Sequence, residues 1–226
     1  MSFEIEAFDT LKDIKNTMNK LSILLLALVS FGIIMPSNAN ENSEKIATLL
    51  GPLLTESCNM SVPLKQKVTW SHDKLVNNLR EAFSEKELDQ IISYHEEMGG
   101  EEFVGKIVFL TSKMTQMMES LEVPVYEKIA ISHEHSSLLD EEMKKKKIGV
   151  LLGSAYMEAF MPDINDSIFK KATKFKNKAS LYLKSIAAAQ YTLTEQRKIM
   201  AFEGSSLGKH LSEVVGKSFT VAPIPT

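Results

Sequence analysis

Residues Ser84 to Leu121 read SEKELDQIISYHEEMGGEEFVGKIVFLTSKMTQMMESL. Ser84 and Glu87 form a capping box: the Ser hydroxyl can accept from the amide three residues on, while the Glu reaches back to the cap amide. Leu88, Ile91, Ile92 and Tyr94 then recur at helical spacing until Gly99-Gly100. A second run starts at once. Its apolar residues Phe103, Ile107, Leu110, Met114, Met117 and Leu121 are spaced 4-3-4-3-4. That spacing is a heptad seam and predicts antiparallel packing against a neighbouring helix. Pro124 closes the run, since proline cannot continue the helical ladder.

The same period extends outward. Ile168, Ala172, Phe175, Ala179, Tyr182, Ile186 and Ala189 form a second seam on a long helix, with cap residues supplied by Asp163 to Asp166. Glu41 to Ser57 carries one stripe of Ile46, Leu49, Leu50, Leu53 and Leu54, which Gly51-Pro52 is expected to kink or split. Pro63 marks the expected start of a helix reaching about Glu81, with Val68, Leu75, Val76 and Leu79 inward. Residues 125 to 147 are charge-rich. There Asp140, Glu141 and Glu142 stand four before Lys144, Lys145 and Lys146, the favourable orientation on a helix. Ile148 to Met161 reads as a buried helix, residues 193 to 217 as the last helices, and Phe219 to Thr226 as an extended tail. Glycine is scarce and no stretch shows sustained alternation. The expected fold class is all-α: an antiparallel helical bundle forming a single domain over residues 40–226.

Two segments align at an offset of 108 residues. Ser84-x-x-Glu87 matches Thr192-x-x-Glu195, Ile91-Ile92 matches Ile199-Met200, Tyr94 matches Phe202, Gly100 matches Gly208 and Phe103 matches Leu211. This weak repeat, near 84–121 and 192–217, suggests a duplicated helical hairpin whose glycine permits a left-handed turn. The pattern Phe83-Ser84-x-x-Glu87-Leu88-x-x-Ile91-x-x-Tyr94-x5-Gly100 resembles a family of exported, all-helical bacterial domains of unknown function. That family is marked by a Phe-Thr-x-x-Glu-Leu helix, an aromatic residue near its end, then Gly and a Lys-rich restart. Glu101-Glu102 departs from the lysines, which Lys209 of the second copy matches better. The resemblance implies a periplasmic or secreted protein and brings no catalytic residues.

Export is also expected from the residues themselves. Leu21 to Met35 is an uncharged run, LSILLLALVSFGIIM, preceded by Lys20 and followed by Pro36-Ser37-Asn38-Ala39. A charged start, an apolar middle and small residues two apart make a secretory signal over 18–39, with cleavage expected after Ala39. The run is short for a spanning helix, so a retained N-terminal anchor is the alternative, and a buried core helix a third. Residues 1 to 17 hold Glu4, Glu6, Asp9 and Asp13 against Lys12 and Lys15. They fit a signal start poorly and are expected to be an upstream extension, with Met18-Asn19-Lys20 the conventional beginning.

Composition narrows the function. The chain has 226 residues and a net charge of -3, and its only arginines are Arg80 and Arg197. Arg is the preferred bidentate partner of phosphates and bases, so nucleic acid is not an expected partner. The single cysteine, Cys58, allows no disulfide within the chain and reads as a small buried hydrophobe. His133-Glu134-His135 is the most suggestive metal-ligand pattern, yet residues two apart on a helix point about 200° from each other, and zinc-protease histidines stand four apart. His72, His95 and His210 read as isolated surface residues. Gly204-Ser205-Ser206-Leu207-Gly208 fits the Gly-x-Ser-x-Gly string, but it follows a helical run and no strand pattern precedes it to make a nucleophile elbow, and no glycine-rich phosphate loop is present. No catalytic residue, metal ligand or cofactor is therefore assigned, and the chain reads as non-enzymatic.

Two surfaces stand out as candidate interaction sites. Met114, Met117 and Met118 are flexible thioethers that could line a groove for client helices or bind copper(I), although seam packing explains Met114 and Met117 equally well. Lys170, Lys171 and Lys174 begin a lysine run continued by Lys176, Lys178 and Lys184, with no acid between Ser167 and Thr194. That face could lie on anionic lipid or an envelope protein, or be answered within the fold by the acids of Glu122 to Glu142. The expected function is a periplasmic or secreted module that binds proteins or envelope surfaces. The alternative is a carrier of a small apolar ligand or lipid, and an enzyme with an unrecognised site comes last.

Overall fold

The computed structural model describes residues 39–223 except 128 and 162. The expected signal and upstream extension, up to residue 38, lie outside the described residues.

Among the described residues the chain is mostly helical, with one two-stranded ribbon and an irregular connection between Ser120 and His133. The helices are α1 (Ala39–Met60), α2 (His72–Ala82), α3 (Glu85–Met98), α4 (Glu101–Ser120), α5 (His133–Lys145), α6 (Ile148–Ala159), α7 (Asp166–Gln190), α8 (Leu193–Gly204) and α9 (Ser206–Gly216). Local sequence sets their ends. Ser71, Ser84, Ser132, Asn165, Thr192 and Ser205 each cap a helix by accepting from a backbone amide of its first turn. Both capping boxes, Ser84 with Glu87 and Thr192 with Glu195, are complete. None of these helices is long and apolar enough to cross a membrane.

Two cores meet along α4. Its first half sends Phe103, Val104 and Ile107 into a cluster built with α1, α2, α3, α8 and α9. Its second half sends Met114, Met117 and Met118 into a cluster with Leu64, Leu151, Leu152, Phe175 and Tyr182. The seam residues of α4 therefore serve two different sets of neighbours, with α1 packed along it and α6 and α7 beyond.

Several expectations are corrected. Pro52 does not split the first helix: α1 runs on through it. Its missing amide removes one ladder bond, but Ile46, Leu50, Leu53 and Leu54 are fully buried on both sides of it. Core packing thus outweighs the loss of one bond. No helix begins at Pro63. Val62–Leu64 is a single 3-10 turn, and Gln66–Trp70 is a strand, β1. It pairs antiparallel with β2 (Phe219–Pro223), Val68 facing Val221. Strand β1 exists because the tail, 150 residues later, supplies its hydrogen-bond partner; five residues alone show too little pattern to reveal this.

The repeat holds at the caps and fails at the turns. Gly99 and Gly100 both have positive φ, 101° and 59°. The chain turns there so that α4 lies along α1 and contacts α3 little. Gly208 instead lies inside α9. A Cβ there would stand 2.1 Å from the carbonyl oxygen of Phe202, so this glycine serves close approach and makes no turn. The aligned aromatics Tyr94 and Phe202 stack on one another, centroids 4.0 Å apart and 7° from parallel.

Candidate functional site: a lysine face on the longest helix

Of the two candidate surfaces, the methionines are not on the surface. Met114, Met117 and Met118 are each about 2% exposed or less. Helices α6 and α7 and the Val62–Leu64 turn close over the end of α4, so the thioethers pack against Leu151, Phe175 and Leu183. A surface groove for client helices cannot be built on them in this fold. This corrects their candidate role as a surface: Met114 and Met117 pack as seam residues, and Met118 joins the same core.

The lysines are on the surface. Ala172, Phe175, Ala179 and Tyr182 turn one side of α7 into the second core. Helical geometry carries Lys170 and Lys174 to the far side and leaves Lys171 and Lys178 on the flank of the buried stripe, and all four are exposed. None of the four has a carboxylate within ion-pairing distance among the described residues. The acids of Glu122 to Glu142 answer only one lysine of the run: Asp140 accepts from Lys184 at 2.5 Å. Lys176 turns toward α6, where its methylenes lie 3.5 Å from the position a Cβ on Gly149 would take. Those two helices approach closely because α6 offers Gly149 and Gly153 at this contact.

Apolar side chains stand exposed at one end of this helix pair. Phe160 and Met161 end α6, and Phe169 lies in the first turns of α7, each 36–46% exposed. Asp163 and Asp166 share that end. Leu181, 56% exposed, stands further along the lysine side. Lysines flanked by exposed aromatic and aliphatic groups form an amphipathic surface of the kind that settles into an interface.

The histidines behave differently from each other. His133 and His135 begin α5, where His133 is exposed and His135 is buried. Glu134 between them accepts from Arg197 Nε at 3.0 Å. Among the described residues no group of three or more His, Cys, Asp or Glu is placed to hold a metal. His95 is no surface residue: it is fully buried, with Nδ1 3.0 Å from the carbonyl oxygen of Ile91 and its ring against Tyr94 and Phe103. Burial pushes it far below the usual imidazole range. Its position four before Gly99 looks like a helix end, and it is Phe103 of α4 and Phe202 of α8 that enclose it. Cys58 is partly buried, and burial raises its thiol to about 11.

The sequence reading missed a buried charged cluster. Lys146, 2% exposed, pairs with Glu142 one turn earlier, as the spacing predicts, and also with Glu203 of α8 at 3.2 Å. Glu203 takes Lys145 as well, at 3.3 Å, and Gln196 donates to Glu142. Burial lowers Lys146 to about 8, against the pull of Glu203, so it remains largely charged at neutral pH. The i,i+4 pattern showed half of this cluster; the other half needs α8 folded against α5. A cavity of about 70 Å³ adjoins it, walled by Ile107, Met114, Leu139, Leu183 and Tyr191. That is room for a few waters and far below the ~300 Å³ at which ligand pockets begin. A second feature the sequence hid is an open groove of about 990 Å³ between α1, the end of α3 and the start of α4.

Set against protein-family models, curated proteins and solved structures, the chain matches none.

Proposed function

We propose that the chain is an exported, non-enzymatic helical module that docks on an anionic envelope surface through α7. One observation carries this reading: Lys170, Lys171, Lys174 and Lys178 lie exposed along α7 with no carboxylate within ion-pairing distance among the described residues. The uncharged run 21–35 supports export, as does the resemblance to exported helical domains. Each lysine near an anionic bilayer contributes about 1 kcal/mol, so four contribute roughly 4 kcal/mol. That alone corresponds to a dissociation constant near 1 mM. The exposed Phe160, Met161 and Phe169 would add the apolar contact that makes such binding useful. The 70 Å³ cavity is too small for a lipid and lends the carrier reading no support.

The test is co-sedimentation of the chain from Asn40 onward with phosphatidylglycerol-rich vesicles and with neutral phosphatidylcholine vesicles. Binding to the anionic vesicles alone, reduced by salt and lost in K170E/K171E/K174E, is the expected result. Equal recovery with both vesicle types, or no change in the triple variant, would overturn the proposal.

A further inference from the structure

The groove between α1, α3 and α4 has opposite chemistry to α7. Its floor is apolar, formed by Leu49, Ile92, Val104 and Val108. Its rim is acidic. Glu41 and Glu44 stand on the α1 side, and Glu96 and Glu101 on the other. Glu41 is matched by Lys45 at 3.1 Å, the one cation in the lining. The neighbours of the far-side acids are also matched: Glu97 by Lys198 and Glu102 by Lys106. Glu96 and Glu101, which face the groove, have no lysine or arginine within ion-pairing distance among the described residues. Two carboxylates are thus left over apolar surface, where a cation would be favoured.

The backbone adds two further features. Gly105 lies in the second turn of α4, with nothing among the described residues within 4 Å of where its Cβ would be. Glycine there weakens the helix and serves no contact among the described residues, but it lets another backbone come close. Pro52, on the opposite wall, leaves the carbonyl of Thr48 without its helical donor, and Thr48 also lines the groove.

We infer that this groove is the docking site of a cationic amphipathic helix from a partner protein. From Glu41 to Pro52 the wall rises eleven residues, roughly 16 Å, enough for about three turns of a bound helix. A helix of that length with its side chains fills roughly 1,500 Å³, so the groove takes more than half of it and leaves one face outside. An open trough of this kind suits a helix better than a small ligand, which needs most of its surface covered. The bound helix lays apolar residues on Val104 and Val108 over Gly105, and its flanking lysines or arginines meet Glu44, Glu96 and Glu101.

The experiment uses two fluorescein-labelled 14-residue peptides with leucines at i, i+3, i+4 and i+7. One carries lysine at its polar positions, the other glutamate. Anisotropy titrations with the chain from Asn40 onward should show saturable binding of the lysine peptide only. Binding should weaken about tenfold or more in E44Q/E96Q/E101Q. It should be lost in Gly105→Leu, which fills the trough at an open position and should melt no lower than the parent. Equal binding of both peptides, no saturable binding, or unchanged binding in Gly105→Leu would overturn the inference. The vesicle test reads the α7 lysines and this titration reads the groove carboxylates and Gly105, so failure here and failure there are separate results.

Discussion

Acidification should destabilise this protein through His95 before its carboxylates titrate. The imidazole is fully buried between α3, α4 and α8, and burial holds its folded pKa far below the unfolded value of about 6.5. Below pH 6.5 the unfolded chain therefore binds a proton that the folded chain refuses. Stability is fully present above pH 6.5 and falls as pH drops below it, by about 1.4 kcal/mol per unit. From pH 7.5 to pH 5.0 the loss from this one residue is about 2 kcal/mol. Urea unfolding followed by circular dichroism at a series of pH values reads this directly. With a slope of about 2 kcal/mol per molar, the midpoint should move by about 1 M. Phe at position 95 cannot take up the proton, so H95F should lose most of this dependence whatever its absolute stability. Equal midpoint shifts in parent and H95F between pH 7.5 and 5.0 would refute the argument. So would an NMR titration of His95 in the folded chain near pH 6.5.

Two other substitutions test the packing. Replacing Lys146 by Met leaves Glu142 and Glu203 facing each other in a buried site, which should cost about 3–5 kcal/mol, or roughly 6–20 °C in Tm. A K146M/E142M/E203M variant should recover much of that loss; if it melts no higher than K146M, the cluster is not acting as a buried charge set. Gly208→Ala should lose about 1–3 kcal/mol, because the added methyl meets the Phe202 carbonyl, whereas Gly105→Ala, in open space, should gain about 1 kcal/mol. Thermal melts that rank the two alanine variants the other way would show that α8 and α9 do not meet as described.

The spacing of apolar residues was enough to locate most helices, because an amphipathic stripe is a local property. The two seams were legible before any packing was known: Phe103, Ile107, Met114 and Met117 are buried with Leu110 and Leu121 partly so, and Ala172, Phe175, Ala179 and Tyr182 are buried with Ile168 and Ile186 partly so, while Ala189 at the end of α7 is exposed. The caps at Ser84, Thr192 and Asn165 were legible for the same reason: each needs only an amide two or three residues away. So was the exposure of Lys170, Lys171 and Lys174, since burying one side of a helix presents the other. What depends on distant partners was not legible. The sequence could not place Met114, Met117 and Met118 inside rather than on a groove, because a methionine seam looks the same in either setting. It marked His95 as a surface residue, since nothing within a turn of it announces α8. Strand β1 needs the tail, Lys146 needs Glu203, and the groove needs α1 laid beside α4. Local order is written in neighbouring residues; burial and charge pairing are decided by which helices meet, and that meeting is a property of the whole chain.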